Sequence, residues 1–151
     1  MKRFSTLKTW QKVVTGILGV GIVAFLIMQF VPLTMDNPAV VSEPNWDAPE
    51  TRALAKDACF DCHSNETVWP WYAKIGPSRL LLWNDVHEGR GTFNFSDWQN
   101  NPMDLGELLE VIDEGEMPPW YYSMMHSNAK LSDSEKQQLM DGLARTLSAQ
   151  P

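Results

Sequence analysis

Cys59-Phe60-Asp61-Cys62-His63 sets two thiols three residues apart and an imidazole directly after the second. This is the C-x-x-C-H spacing of c-type haem attachment. Each thiol adds across one haem vinyl group to form a thioether, and the adjacent histidine then lies under the iron as its proximal ligand. Three other uses of these residues compete. A thioredoxin-type redox pair needs a βαβ setting, and none is legible. A zinc site needs a further soft or imidazole ligand, and the chain has only 2 cysteines. A plain disulfide between Cys59 and Cys62 would leave His63 without a role.

The sixth position of such an iron has several candidates: His87, His126 and the methionines Met103, Met117, Met124 and Met125. Met117 is preferred. It stands in Gly115-Glu116-Met117-Pro118-Pro119-Trp120, just past a predicted helix end, where the prolines stop the helix and stiffen the loop. The alternative role for Met117 is a gap-filling core side chain. His87 reads as a partly exposed helix residue. His126, in a loop with Met124 and Met125, is the main rival for the iron. Trp69-Pro70-Trp71-Tyr72 follows the cysteines, and Trp120-Tyr121-Tyr122 follows Met117. Trp69, Trp71, Tyr72 and Trp120 are therefore candidate pocket-lining residues, since flat rings can cover a macrocycle and polar ring tips can bond its propionates. Lys74, Arg79 and Arg90 read as surface cations.

Helices must position these groups. Asp47-Ala48-Pro49-Glu50 reads as a helix start with Asp47 as N-cap, the helix running to about Ala58. Gly76-Pro77-Ser78 opens a second helix that ends at Gly89 or Gly91. A third runs from Pro102 to Glu114, with Leu105, Leu108, Leu109 and Ile112 on one face and Gly115 at its close. A fourth runs from Ser132 to about Leu147, opened by a Ser132/Glu135 capping box. No period-two strand pattern appears, so the fold class is all-α. Short helices with Trp- and Pro-rich loops offer little core of their own, which is a reason to expect a bound group at the centre.

The chain has 151 residues and a net charge of −7, unevenly spread. Residues 1–12 carry Lys2, Arg3, Lys8 and Lys12 and no acid; residues 13–31 carry no charge. Residues 32–151 hold 8 basic against 19 acidic side chains. Such an acidic domain is unsuited to nucleic acid. The uncharged stretch 13–31 would span roughly 28 Å as a helix, close to the hydrocarbon thickness of a bilayer. It is read as an uncleaved anchor, because no small-residue cleavage pattern follows it. Basic residues ahead of it and none soon after orient residues 1–12 as a cytoplasmic stub, with the acidic domain outside. In a bacterium this predicts a single-pass inner-membrane protein whose domain is periplasmic or otherwise extracytoplasmic. Residues 32–45, with Pro32, Pro38 and Pro44, are expected to form an extended linker. The domain proper then covers 46–148.

The run from Ala58 to Thr67, then Trp69-Pro70-Trp71-Tyr72, resembles the small bacterial haem-binding domain family of c-type cytochromes, and Glu114-Gly115-Glu116-Met117-Pro118-Pro119-Trp120-Tyr121 is similar to that family's second motif. The resemblance implies one covalent haem c and a cytochrome-c-like fold whose first and last helices cross beside it. It also implies His63 as proximal and Met117 as distal ligand. The expected function is single-electron transfer by a membrane-anchored monohaem cytochrome, not an enzyme. Its partner would be a redox protein with basic surface, such as a respiratory complex, docking on the acidic run Asp104, Glu107, Glu110, Asp113, Glu114 and Glu116. The alternative is a haem-based ligand-binding or sensor module with a displaceable or absent sixth ligand.

Overall fold

The computed structural model describes residues 8–149. Lys2 and Arg3 of the expected basic stub lie outside them. The chain forms two units. One comprises residues up to Thr34 together with Pro70–Trp83; the other comprises Met35–Trp69 together with the residues from Asn84 onward.

The first unit is dominated by α1 (Thr9–Gln29), 21 residues long and apolar enough to cross a membrane. At 1.5 Å per residue it spans roughly 31 Å. It starts before the uncharged stretch because Lys8 can act as its N-cap, its N–H donating to the Gln11 side chain at 2.8 Å. It ends at Gln29, short of Pro32. The unit also holds a 3-10 turn, Trp71–Lys74, and the first half of α4 (Gly76–Thr92).

In the second unit, α2 (Pro49–Ala58), α3 (Phe60–His63), α5 (Leu105–Asp113), α6 (Trp120–Met125) and α7 (Asp133–Ser148) join the second half of α4. The chain is all-α: among the described residues no strand forms, and Ser42–Asp97 is an isolated bridge. The first and last helices of this unit pack against each other. Thr51 of α2 fills the space that a side chain on Gly142 of α7 would need.

The N-cap of α2 is Ala48, not Asp47, with Pro49 in the first turn. Asp47 is drawn instead to α7, where its carboxylate accepts from Arg145 Nε at 2.7 Å and from Thr146 Oγ1 at 3.0 Å. The third helix starts at Leu105, later than its periodicity indicates, because the Asp104 carboxylate caps it by accepting from the Glu107 N–H. It closes at Gly115, whose φ of 76° is the left-handed conformation glycine adopts freely. The Ser132/Glu135 capping box forms as the sequence indicates.

The centre is less hollow than expected. Phe93, Phe95 and Trp98, from the loop after α4, pack with Phe60 around Ala55, Leu108, Ile112, Leu139 and Leu143. Phe95 stacks on Phe60 at 5.3 Å and on Trp98 at 5.6 Å between ring centroids. From Met35 the linker is extended but bound to this unit. Val41 donates to the Ser96 carbonyl, and the Ala39 carbonyl accepts from Asn65.

Hydrogen bonds from Thr51, Arg145 and Thr146 hold the Asp47 carboxyl below the usual carboxylate range. A depressed folded pKa gives stability that is complete above the unfolded value and lost as pH falls through the folded one. Asp47→Asn is therefore expected to cost about 1 kcal/mol at neutral pH. It should also flatten the loss of stability below about pH 4. Urea unfolding across that acid range checks both; a variant that tracks the parent at every pH would contradict them.

Candidate functional site

The site begins where α2 gives out. Cys59 closes that helix, its N–H bonded to the Ala55 carbonyl at 2.8 Å, and the chain turns at once into α3. The Cys59 carbonyl accepts from the N–H groups of Cys62 at 3.2 Å and His63 at 2.9 Å, which closes the C-x-x-C-H segment into a tight helical turn. Neighbouring loops pin it. Phe95 N–H donates to the His63 carbonyl, and Asn65 N–H to Ser96 Oγ. Asp61 fixes it from the side, one carboxylate oxygen accepting from Val68 N–H at 2.8 Å and the other from the Tyr122 hydroxyl at 2.7 Å. Tyr122 belongs to α6, so the C-x-x-C-H turn and the helix after Met117 are joined through Asp61.

His63 is buried, and its ring is held on two sides. Nδ1 lies 2.9 Å from the Gly89 carbonyl oxygen, and Phe93 stacks on the ring at 4.0 Å and 10°. A carbonyl can only accept, so Nδ1 carries the proton and the lone pair stays on Nε2. Burial also lowers the imidazole pKa and favours this neutral form. The close approach requires glycine at 89, since a Cβ there would sit 2.6 Å from the Cys62 carbonyl oxygen.

Cys59 and Cys62 are free and partly buried. Burial pushes both thiols up to about 12, and for Cys62 the carboxylates of Asp85 and Asp61 add to the effect. They are neutral thiols at physiological pH, poor partners for disulfide exchange.

Cys59 and Met117 line one cavity of about 190 Å³, with Ile112, Leu131 and Leu139 among its apolar walls. Cys62, His63, Trp69, Trp71, Tyr72 and Trp120 are not among its lining residues. The left-handed turn at Gly115 and a bond from Met117 N–H to the Val111 carbonyl set the position of Met117. Met117 is 41% exposed; of the other candidates, Met103 packs on the core, Met124 and Met125 are exposed, and the His126 ring stacks on Tyr122 at 4.1 Å. Trp71 and Tyr72 fall in the first unit, and Trp120 is largely exposed. Trp69 belongs to the second unit, and its buried indole N–H has no hydrogen-bond partner. Arg90 is not a free surface cation. It donates to the Ser64 carbonyl directly after the motif, to Thr67 and Asn37 side chains, and to the Asp36 carbonyl.

Sequence reasoning missed Gly89 and Phe93, the two residues that orient His63. The alternation Phe93-Asn94-Phe95 was a signal of inward-facing rings, but nothing in it named histidine as their neighbour.

A helical domain with a C-x-x-C-H turn and a neutral, fixed imidazole defines the class: a haem protein. The chain belongs to the haem-binding domain family, which residues 23–145 match. It is also similar to the cytochrome c peroxidase Ccp of Escherichia coli (strain K12), 26% identical over 100 residues. That match covers 61% of this chain and 22% of the peroxidase, so the chain spans well under a third of that relative's length. No solved structure matches it.

Proposed function

We propose that this chain is a membrane-anchored monohaem c-type cytochrome that carries single electrons outside the cytoplasmic membrane. The observation that carries this reading is the buried His63 ring, held at Nδ1 by the Gly89 carbonyl and stacked on Phe93, in the same tight turn as Cys59 and Cys62. Cys59 and Cys62 would hold one haem c by thioether bonds, and His63 and Met117 are the residues that would ligate its iron. Bound there, haem c would supply a one-electron iron couple, and ligation by a histidine and a methionine would favour a high potential. The buried, unpaired Trp69 N–H suits a propionate oxygen. The cavity is smaller than the roughly 300–1,000 Å³ of ligand pockets.

The likeness to a segment of a peroxidase supports a haem module, and we do not extend that enzyme's activity to this chain. The exposed acidic groups of α5 and its flanks, from Asp104 to Glu116, suit a redox partner with basic surface. Exchange with such a partner should slow as ionic strength rises.

The oxidised protein is expected to show the weak long-wavelength sulfur-to-iron charge-transfer band, and Met117→Ala to lose it. A band unchanged in that variant would move the ligand elsewhere. Absence of the band from the parent protein would favour the displaceable-ligand, sensor-type module.

A further inference from the structure

The segment Pro70–Trp83 leaves large apolar side chains in the open. Trp71 is 73% exposed, Leu81 49%, Leu80 45% and Ile75 37%. The same unit contains the end of α1, and the two are directly bonded. Gly76 N–H donates to Gln29 Oε1 at 3.0 Å. Arg79 donates to the carbonyls of Gln29 at 3.4 Å and Leu33 at 3.2 Å. Gln29 turns its amide back to the Phe25 carbonyl at 3.0 Å. A Cβ at Gly76 would displace the end of the Gln29 side chain, so the two elements meet closely there.

These contacts fix a depth. The length of α1 matches a hydrocarbon core of about 30 Å. Gln29 therefore falls at a membrane–water boundary when the helix spans. The last carbonyls of a helix lack intrahelical partners, and a guanidinium is favoured at that negative end. Arg79 thus ties Pro70–Trp83 to the level of the lipid headgroups. Tryptophan and tyrosine favour that level, leucine partitions just below it, and cations such as Lys74 reach outward from it. The segment carries this composition.

We propose that Pro70–Trp83 is a second membrane-binding element, with Trp71, Ile75, Leu80 and Leu81 seated in the headgroup–acyl boundary of the bilayer that α1 spans. The proposal rests on the membrane-anchored reading of α1. It also gives Trp71 and Tyr72 a role other than lining a haem pocket. The occupant is lipid, because the segment that carries these exposed residues is hydrogen-bonded to the end of the helix read as the membrane anchor.

The test uses the full holoprotein in vesicles of phosphatidylcholine and phosphatidylglycerol. A photoreactive diazirine residue is placed singly at position 20, 71, 81 or 138, and adducts are read by mass spectrometry. Lipid adducts are expected at 20, 71 and 81, and none at 138 on the exposed face of α7. Lipid adducts at 20 with only water-quenched product at 71 and 81 would overturn the proposal and leave the anchor standing. Chain-to-chain adducts at 71 and 81 would overturn it too, in favour of a second copy as occupant. Failure to label lipid at 20 would remove the anchor reading and the proposal together.

Discussion

A chain carrying both Cys59→Ala and Cys62→Ala is expected to lose all haem that survives denaturing electrophoresis, while keeping its helical structure. The first half follows from chemistry, because thioether bonds alone resist denaturant and these are the chain's only 2 thiols. The second half follows from packing. The buried cluster is built on Phe60, Phe93, Phe95, Trp98, Leu108, Ile112, Leu139 and Leu143, with Cys59 only at its margin. The attachment turn is closed by the Cys59 carbonyl and pinned through Asp61 and the His63 carbonyl, none of which needs a thiol. Each thiol lost should cost about 1 kcal/mol in packing. Peroxidase-type haem staining of a denaturing gel, with far-ultraviolet circular dichroism of the same sample, reads both halves. Stain retained by the double variant would end the covalent reading. Helix lost along with the stain would mean that the aromatic cluster cannot stand without the bound group.

Local patterns were legible where a residue acts on its own sequence neighbours. The capping box of α7, the stop at Gly115 and the C-x-x-C-H turn all depend on side chains within a few positions of one another. Contacts across long separations were not. Asp47 looks like an N-cap because an acid precedes Ala-Pro-Glu, yet its partners are Arg145 and Thr146 on another helix. Trp69, Trp71 and Tyr72 look like one aromatic block, and the fold divides it: Trp69 falls in one unit, Trp71 and Tyr72 in the other. The same limit applied to the central histidine. Its motif announced itself, but its orientation depends on Gly89 and Phe93, which lie well beyond the motif and enter through a helix end and a loop. The aromatic core is hard to read from sequence for a related reason. Phe93, Phe95 and Trp98 sit in a segment without helical period, which a search for amphipathic helices passes over.

Two glycine-to-alanine changes in α4 should move stability in opposite directions. In a helix, alanine is favoured over glycine by about 0.5–1 kcal/mol through reduced backbone entropy. At Gly91 a Cβ would meet nothing within 4 Å, so Gly91→Ala should show that gain, reduced by its place near the helix end. At Gly89 the same methyl would stand 2.6 Å from the Cys62 carbonyl oxygen and 3.0 Å from its carbonyl carbon. Those are backbone atoms of a turn already held by Asp61, Phe95 and Asn65, so no flexible side chain can yield. Overpacking of this kind costs about 1–3 kcal/mol, which outweighs the helical gain. The consequence reaches the site, because the Gly89 carbonyl that must retreat is the acceptor of His63 Nδ1. Gly89→Ala should therefore lower the urea midpoint and also disturb the histidine side of the haem spectrum, whereas Gly91→Ala raises the midpoint and leaves the spectrum alone. Equal midpoints for the two variants would show that α4 does not approach the attachment turn this closely. A Gly89→Ala protein that is destabilised but spectrally normal would locate the anchor of the imidazole somewhere other than this carbonyl.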